Sequence, residues 1–78
     1  MKNLDLFYFP ECPFCQKVLI FIDKNKIEGI ELRNINKDAA SEKELIELGG
    51  KRQVPALKID GEIMYESDDI IKYLSENK

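Results

Sequence analysis

The stretch Leu-Asp-Leu-Phe-Tyr-Phe-Pro-Glu-Cys-Pro-Phe-Cys occupies residues 4–15. Its first half, residues 4–9, is short, aromatic and mostly apolar, which predicts a strand buried on both faces. Pro10 ends that strand. Pro13 suits the first position of a helix because its missing N–H would have no partner inside the helix, so Cys12 falls at or beside the N-cap. The stretch therefore predicts a strand that leads directly into a helix, with both cysteines of the chain at the junction.

The first half of the chain continues with helical and strand patterns. Residues 14–26 predict an amphipathic helix, and residues 30–35 predict a second strand. A second helix is expected to begin between residues 38 and 41, with residues 41–44 as a possible capping box, and to end at Gly49-Gly50. The apolar positions that define the two helices are Phe14, Val18, Leu19, Phe21 and Ile22 in the first and Leu45, Ile46 and Leu48 in the second.

The second half of the chain predicts a hairpin and a final helix. Asp60-Gly61 separates the apolar stretches 56–59 and 63–65, a strong signal for two antiparallel strands. Ser67 is expected to cap the last helix, with Asp68 and Asp69 in its first turn and Ile70, Ile71, Tyr73 and Leu74 facing inward. The order is β-α-β-α-β-β-α, and its opening β-α-β unit predicts a parallel pair of strands with a right-handed crossover.

Length and composition indicate one small domain over residues 1–78. With 44% apolar and 35% charged residues, the chain has the composition of a globular domain with a single core. Its net charge of -3 provides no uniform basic surface, so we expect neither nucleic acid nor a membrane as partner. The chain lacks a long apolar run and a signal-peptide pattern at its start, which predicts a cytoplasmic location. We expect a monomer.

The absence of histidine excludes several kinds of catalytic site. A Ser-His or Cys-His nucleophile pair cannot form, and a zinc site built from this chain's Cys and His residues would have only two ligands. We therefore expect no metal cofactor.

The segment Cys12-Pro13-Phe14-Cys15 holds the candidate reactive groups. A thiolate is the form that attacks a disulfide, and the N–H groups and positive end of a helix stabilise that anion. Cys12 is therefore the predicted nucleophile. Cys15, one turn inside the helix, is better shielded and close enough to resolve a mixed disulfide on Cys12.

Three other interpretations of the two cysteines remain open. The pair could be half of a zinc site, which would need carboxylates or a second chain for the other ligands. It could be a structural disulfide, although so short a loop restrains little of the unfolded chain. The two residues could also be ordinary buried thiols. The redox interpretation fits both the spacing and the place at a helix start best.

The sequence resembles the glutaredoxin family over nearly its whole length. The resemblance is carried by the strand that ends at Phe9, Cys12-Pro13-Phe14-Cys15, Val54-Pro55 and the helix start at Asp68-Asp69. It implies a thioredoxin-like fold, with a four-stranded mixed sheet flanked by three helices, and a cis bond before the proline of Val54-Pro55. It also implies a glutathione-dependent oxidoreductase that reduces glutathionylated proteins and disulfides, with glutathione as co-substrate.

The resemblance also implies a set of glutathione-binding residues. Val54 offers main-chain hydrogen bonds to the cysteinyl unit, while Ser67 and Asp68 meet the carboxylate and ammonium of the γ-glutamyl end. Ser67 and Asp68 could equally be a plain helix cap and a dipole-matching acid. The remaining predicted contacts to glutathione come from Phe14, Lys17, Lys51, Arg52, Gln53 and Pro55.

The sequence departs from the glutaredoxin pattern at several positions. Phe9 stands where many members carry a lysine, and Glu11 places a negative charge beside Cys12, which opposes formation of the thiolate. Phe14 replaces a common tyrosine. Tyr65-Glu66 replaces a glycine pair, and Glu66-Ser67 looks like the Glu-Ser pair of glutathione transferase N-terminal domains.

Other members of the same superfamily provide rival hypotheses. Thioredoxin is the nearest, but the chain lacks a tryptophan before Cys12 and has Pro-Phe between its cysteines. A small redoxin that takes electrons from thioredoxin reductase would share the fold and the two cysteines. A dimer that holds a [2Fe-2S] cluster through Cys12 and glutathione is a further alternative, against which Pro13 counts.

Overall fold

The computed structural model describes residues 4–77 and contains one four-stranded sheet with three helices. This α/β arrangement is the predicted thioredoxin-like fold, in the predicted order β-α-β-α-β-β-α. No helix within the described range is long and apolar enough to cross a membrane. The elements are β1 (Leu4–Tyr8), α1 (Pro13–Lys24), β2 (Ile30–Asn34), α2 (Ala39–Gly49), β3 (Ala56–Ile59), β4 (Glu62–Met64) and α3 (Ser67–Asn77).

The sheet places β1 at its centre, in the strand order β2-β1-β3-β4. The β1 strand pairs in parallel with β2 and antiparallel with β3, so the sheet is mixed as expected. The β3 and β4 strands form the predicted hairpin through Asp60 and Gly61. Both turn residues have positive φ, at 50° and 88°, as a type I′ turn requires.

Alternate residues of β1 supply two separate cores. Leu6 faces the side covered by α1 and α3, while Phe7 faces the side covered by α2. Both side chains are fully buried, so the prediction that this strand is covered on both faces is confirmed. The buried partners of Leu6 are Val18, Leu57, Ile70 and Leu74, and those of Phe7 are Ile35, Leu45 and Ala56.

Four charged side chains lie beneath α2 beside the second core. Glu44 accepts hydrogen bonds from Lys58 at 2.8 Å and from Arg33 at 3.1 Å. Asp5 lies 3.7 Å from the Lys58 nitrogen and 3.9 Å from Arg33. These two acids and two bases come from four elements: Asp5 from β1, Arg33 from β2, Lys58 from β3 and Glu44 from α2. Their contacts connect α2 to the sheet.

Some predicted apolar positions do not face the core. Phe14 is 62% exposed, because Cys15 and Val18 form the buried side of α1. Ile46 and Leu48 are also exposed, since α2 buries only Ser41 and Leu45 among its residues. Periodicity overestimated the apolar face in both helices.

The helix ends differ from the predicted ones. The α1 helix ends at Lys24, and α2 is capped by Asp38, whose carboxylate accepts from the main-chain N–H of Ala40 at 3.2 Å. The predicted capping box at residues 41–44 is wrong, because the Ser41 hydroxyl donates to Asp38. Ser67 is the first residue of α3 rather than the residue before it. The predicted strands are each within one residue of the observed ends.

Candidate functional site

Cys12 lies in the turn between β1 and α1. Its main-chain N–H donates to the carbonyl of Phe9 at 3.2 Å, and the Gln16 side chain donates to the carbonyl of Pro10 at 2.8 Å. Cys12 has extended φ and ψ of -87° and 120° and is the N-cap residue, with a proline beginning the helix. The two hydrogen bonds fix the turn, and they hold a half-buried thiol at the positive end of α1.

Cys15 has a different environment. Both cysteines are free thiols, but Cys15 is fully buried inside α1. Burial raises the pKa of Cys15 to about 12; a main-chain hydrogen bond at Phe9 acts in the opposite direction, while the hydrogen bond and charge of Cys12 add to the rise. At neutral pH, Cys15 is therefore protonated and shielded while Cys12 is accessible.

The segment Val54–Pro55 approaches Cys12 from the far side. The peptide bond between these two residues is cis, as the resemblance implied. The Sγ of Cys12 lies 3.9 Å from the main-chain carbonyl oxygen of Val54. The loop before β3 and the start of α1 therefore meet at the thiol.

A pocket of about 220 Å³ adjoins this meeting point. The exposed ring of Phe14 forms one wall. Ser67, only 8% exposed, lies at the start of α3, where main-chain N–H groups without partners inside the helix favour an anion. The pocket is lined by Phe14, Gln53, Val54, Pro55, Glu66, Ser67 and Asp68.

Lys17 and Asp68 form an ion pair across this end of the molecule. The Lys17 nitrogen lies 2.5 Å from a carboxylate oxygen of Asp68. Both side chains are largely exposed, at 53% and 82%, so water screens the pair. Two residues that were predicted to contact a ligand therefore contact each other. A charged group of a ligand is able to displace one of them from this exposed pair.

The basic residues before Val54 lie outside the pocket lining. The Lys51 nitrogen stands 4.6 Å from the centroid of the Tyr65 ring. Arg52 donates to Glu42 and to Asn36, each at 2.6 Å. Of the three predicted residues in this loop before Val54, only Gln53 lines the pocket.

Two residues near the site were absent from the predicted set. Glu66 lines the pocket with a positive φ of 68°, and the Glu66-Ser67 pair in the sequence was the signal for it. Asn36 connects Arg52 to Glu11, with its amide 3.3 Å from the Glu11 carboxylate. No local motif marked Asn36, because its role depends on contacts between distant segments.

A larger hollow of about 840 Å³ lies at the other end of the sheet. It is open and contains neither cysteine; its lining is Leu4, Asp5, Gly29, Ile30, Glu31, Lys58, Asp60 and Gly61. No cluster of three or more metal-ligating side chains occurs in the described part of the chain. The two thiols, which are the candidate nucleophiles, lie beside the pocket of about 220 Å³.

Comparison with protein families identifies the domain. The model of the glutathione S-transferase N-terminal domain matches residues 6–78. The chain belongs to this family. The Glu66-Ser67 pair, noted above as similar to the pair in such domains, lies in the pocket. The resemblance to glutaredoxins holds at the level of the shared thioredoxin-like fold. A comparison with curated protein sequences gives no significant match.

Solved structures with this fold include one that this chain covers completely and one of which it covers about a third. A mutant of the thioredoxin-like protein BC3987 is 26% identical, with a TM-score of 0.81 and 100% of both chains covered. Human glutathione transferase theta-2, solved with glutathione and an unknown ligand, is 32% identical, with a TM-score of 0.79. That match covers 96% of this chain but 31% of the transferase. Poplar glutaredoxin C1 (populus tremula x tremuloides) is 15% identical, with a TM-score of 0.70 and 96% and 76% of the two chains covered, which shows a shared fold.

Proposed function

We propose that the chain is a glutathione-dependent thiol-disulfide oxidoreductase with Cys12 as nucleophile and Cys15 as resolving thiol. One observation carries the proposal: an accessible thiol at a helix start and a buried thiol one turn later adjoin a pocket with polar groups for a peptide. The buried thiol has a raised pKa, so the accessible one reacts first. Its substrates are glutathionylated or disulfide-containing proteins, on which it acts as a cytoplasmic monomer.

The pocket suits glutathione because each end of that peptide finds a complementary group. Main-chain groups of Val54 lie beside Cys12 and are available to the cysteinyl unit. The helix start at Ser67 offers N–H groups and a hydroxyl to the γ-glutamyl carboxylate. The γ-glutamyl ammonium replaces Lys17 as the partner of Asp68, exchanging one exposed charge pair for another.

The remaining residues predicted to contact glutathione differ in the role that we propose for each. Phe14 and Pro55 supply apolar walls, and Gln53 offers an amide to the glycyl end. Lys51 reaches this end only by leaving the Tyr65 ring. Arg52 is held by Glu42 and Asn36, so we propose that it does not contact glutathione.

The reaction is two successive thiol-disulfide exchanges. The Cys12 thiolate attacks the glutathione sulfur of a protein mixed disulfide; a new S–S bond forms, and the protein leaves as a thiolate that takes up a proton. A second glutathione thiolate then attacks the glutathione sulfur bound to Cys12, which yields oxidised glutathione and restores the Cys12 thiolate. Glutathione supplies both electrons, and no metal is required.

Reduction of a protein disulfide uses both cysteines. After Cys12 forms a mixed disulfide with the substrate, Cys15 loses its proton and attacks the Cys12 sulfur. The substrate thiol leaves, and a Cys12–Cys15 disulfide remains, which two glutathione molecules reduce. The raised pKa of Cys15 keeps this thiol protonated while Cys12 is free.

The test is a coupled assay on a glutathione mixed disulfide. Glutathione with glutathione reductase should support turnover in the wild-type chain and give none in Cys12→Ser. A Ser75→Ala variant, at an exposed position on α3, serves as the matched surface control. Absence of turnover with this reductant would overturn the proposal.

A second candidate is a redoxin reduced by thioredoxin reductase. The full-length match to a thioredoxin-like protein favours it, because that match covers 100% of both chains. Replacing glutathione reductase with thioredoxin reductase in the same assay separates the two candidates. Activity only with the second enzyme would leave Ser67 and Asp68 as parts of a helix start.

The family also suggests an assay for glutathione conjugation. The chain spans 31% of the theta-2 transferase and 34% of glutathione transferase Omega 3C from Trametes versicolor. An electrophilic aryl halide in place of the disulfide measures this activity directly. Conjugation without disulfide reduction would replace the oxidoreductase assignment with a transferase one. Visible absorbance after anaerobic purification would instead indicate the [2Fe-2S] form.

A further inference from the structure

Arg52 lies beside the catalytic turn without lining the pocket. Its guanidinium donates to Glu42 and Asn36 at 2.6 Å, and its Cζ lies 5.6 Å from the centroid of the Phe9 ring. Asn36 in turn donates to the Glu11 carboxylate at 3.3 Å. An exposed ion pair alone is usually weak, but Arg52 has three partners in one connected group.

This group joins the two segments that meet at the thiol. Glu11 directly precedes Cys12, and Arg52 comes two residues before Val54. Those segments approach each other where the Cys12 sulfur lies 3.9 Å from the Val54 carbonyl oxygen. The Arg52–Asn36–Glu11 chain is therefore a second connection between them, through side chains.

The group also contacts the negative charge of Glu11, which directly precedes Cys12 in the sequence. A carboxylate close to a thiolate repels that thiolate and any anion that approaches it. Asn36 supplies a hydrogen bond to that carboxylate, and Arg52, which is also paired with Glu42, places a guanidinium one side chain further away. The Arg52 guanidinium also lies over the ring of Phe9, on the same side of the turn.

We propose that Arg52 and Asn36 form a relay that holds the Glu11 carboxylate and offsets its charge beside the Cys12 thiolate. Arg52 is then a positioning residue that acts through Asn36 and Glu11, rather than a contact to glutathione. The proposal rests on the proposed role of Cys12 as nucleophile.

The test compares alkylation of Cys12 by neutral iodoacetamide and anionic iodoacetate. A Cys15→Ser background leaves Cys12 as the one thiol of the chain. The ratio of the iodoacetate rate to the iodoacetamide rate reports the local field, because only one reagent is charged. Asn36→Ala changes no charge, so it affects this ratio by releasing Glu11 and Arg52 from their shared partner.

We expect Asn36→Ala and Arg52→Gln each to lower the ratio about twofold or more at low salt, and the change to vanish near 1 M salt. In a Glu11→Gln background, Asn36→Ala and Arg52→Gln should each have a reduced effect on the ratio. Arg52→Lys should recover part of the loss, since a single ammonium cannot keep the forked contacts of arginine. The charge-matched control is Lys43→Gln, which removes an exposed lysine of α2 and should not change the ratio.

Each contrary outcome has one meaning. An unchanged ratio in Asn36→Ala, or an equal change with and without Glu11, would overturn the relay. Failure of Cys12 to alkylate in the folded Cys15→Ser chain, with the relay residues intact, would instead overturn the proposed nucleophile. Circular dichroism confirms that each variant is folded, and Asn36→Ala alone decides the question if Arg52→Gln fails to fold.

Discussion

The Cys12 sulfur lies 3.9 Å from the main-chain carbonyl oxygen of Val54, a residue 42 positions further along the chain. The first belongs to the N-cap of α1, and the second to the loop that leads into β3. The β1 and β3 strands are antiparallel neighbours in the sheet. The turn that follows β1 and the loop that precedes β3 therefore lie at the same end of the sheet. The sheet thus sets the distance between the candidate nucleophile and the main chain that faces it.

Removing Cys15 should separate the two proposed activities. We expect Cys15→Ser to reduce glutathione mixed disulfides at near the wild-type rate, because a second glutathione can discharge Cys12. The same variant should lose at least tenfold in the reduction of protein disulfides, which needs both thiols. Rates on a glutathionylated peptide and on a disulfide-bonded protein test this directly. Equal loss of both activities would contradict the assigned roles.

Asp68 and Lys17 should have opposite importance for glutathione. We expect Asp68→Asn to raise the KM for glutathione about tenfold, because it removes the charged partner of the ammonium. Lys17→Gln should not raise KM, since Lys17 competes with the ligand for the same carboxylate. Each substitution should change the free energy of unfolding by less than about 0.5 kcal/mol, because the pair is exposed. A higher KM in Lys17→Gln would instead make Lys17 a ligand contact.

The buried thiol should make stability depend on alkaline pH. The pKa of Cys15 rises from 9.0 to about 12 on folding, because burial disfavours the thiolate. The unfolded chain therefore loses this proton first, and stability that is complete below about pH 9 is lost as the pH rises towards 12. The stability difference between wild type and Cys15→Ala should shrink by about 2 kcal/mol between about pH 8 and pH 11. Urea unfolding under reducing conditions measures it, and a pH-independent difference would be inconsistent with a buried protonated thiol.

The charge cluster beneath α2 should make stability depend on acidic pH. The hydrogen bond from Lys58 holds the pKa of Glu44 below its ordinary value of 4.5. The folded state therefore gains from the carboxylate above about pH 4.5, and this gain is lost as the pH falls through the lowered value. Glu44→Gln should cost about 1 kcal/mol near neutral pH and little in acid.

The control for this cluster is Glu47→Gln on the same helix. Glu47 lies in an exposed pair with Lys43 at 3.9 Å, so its loss should change the free energy of unfolding by only a few tenths of a kcal/mol. Equal effects of the two substitutions at every pH would show that the cluster adds no more stability than a surface pair.

The sequence predicted the order of elements because its strongest local signals were unambiguous. The aromatic strand before Pro10, the proline at the start of α1 and the Asp60-Gly61 turn all occur where expected. Each signal acts through local backbone geometry, which neighbouring residues determine. The predicted cap at Ser41 failed because Asp38, three residues earlier, accepts from both the Ser41 hydroxyl and the Ala40 N–H.

The features that the sequence did not predict depend on contacts between residues far apart in the chain. Phe14 fits the apolar period of α1, yet Cys15 occupies the buried side and leaves Phe14 as a pocket wall. The place of Arg52 before Val54 led to its prediction as a ligand contact, and it did not show that Glu42 and Asn36 bind the guanidinium. Those partners come from other elements, so only the folded chain reveals them.

The most direct measurement is to trap glutathione on the Cys15→Ser chain and locate it. Oxidised glutathione should add one glutathione by disulfide to Cys12, as intact mass and peptide mapping would show. NMR shifts on formation of the adduct should be largest at Val54, Ser67 and Asp68, which border the pocket, and small around the distant hollow at Gly29 and Gly61. An unmodified Cys12, or an adduct whose shifts leave Ser67 and Asp68 unchanged, would contradict a glutathione-dependent oxidoreductase at this site.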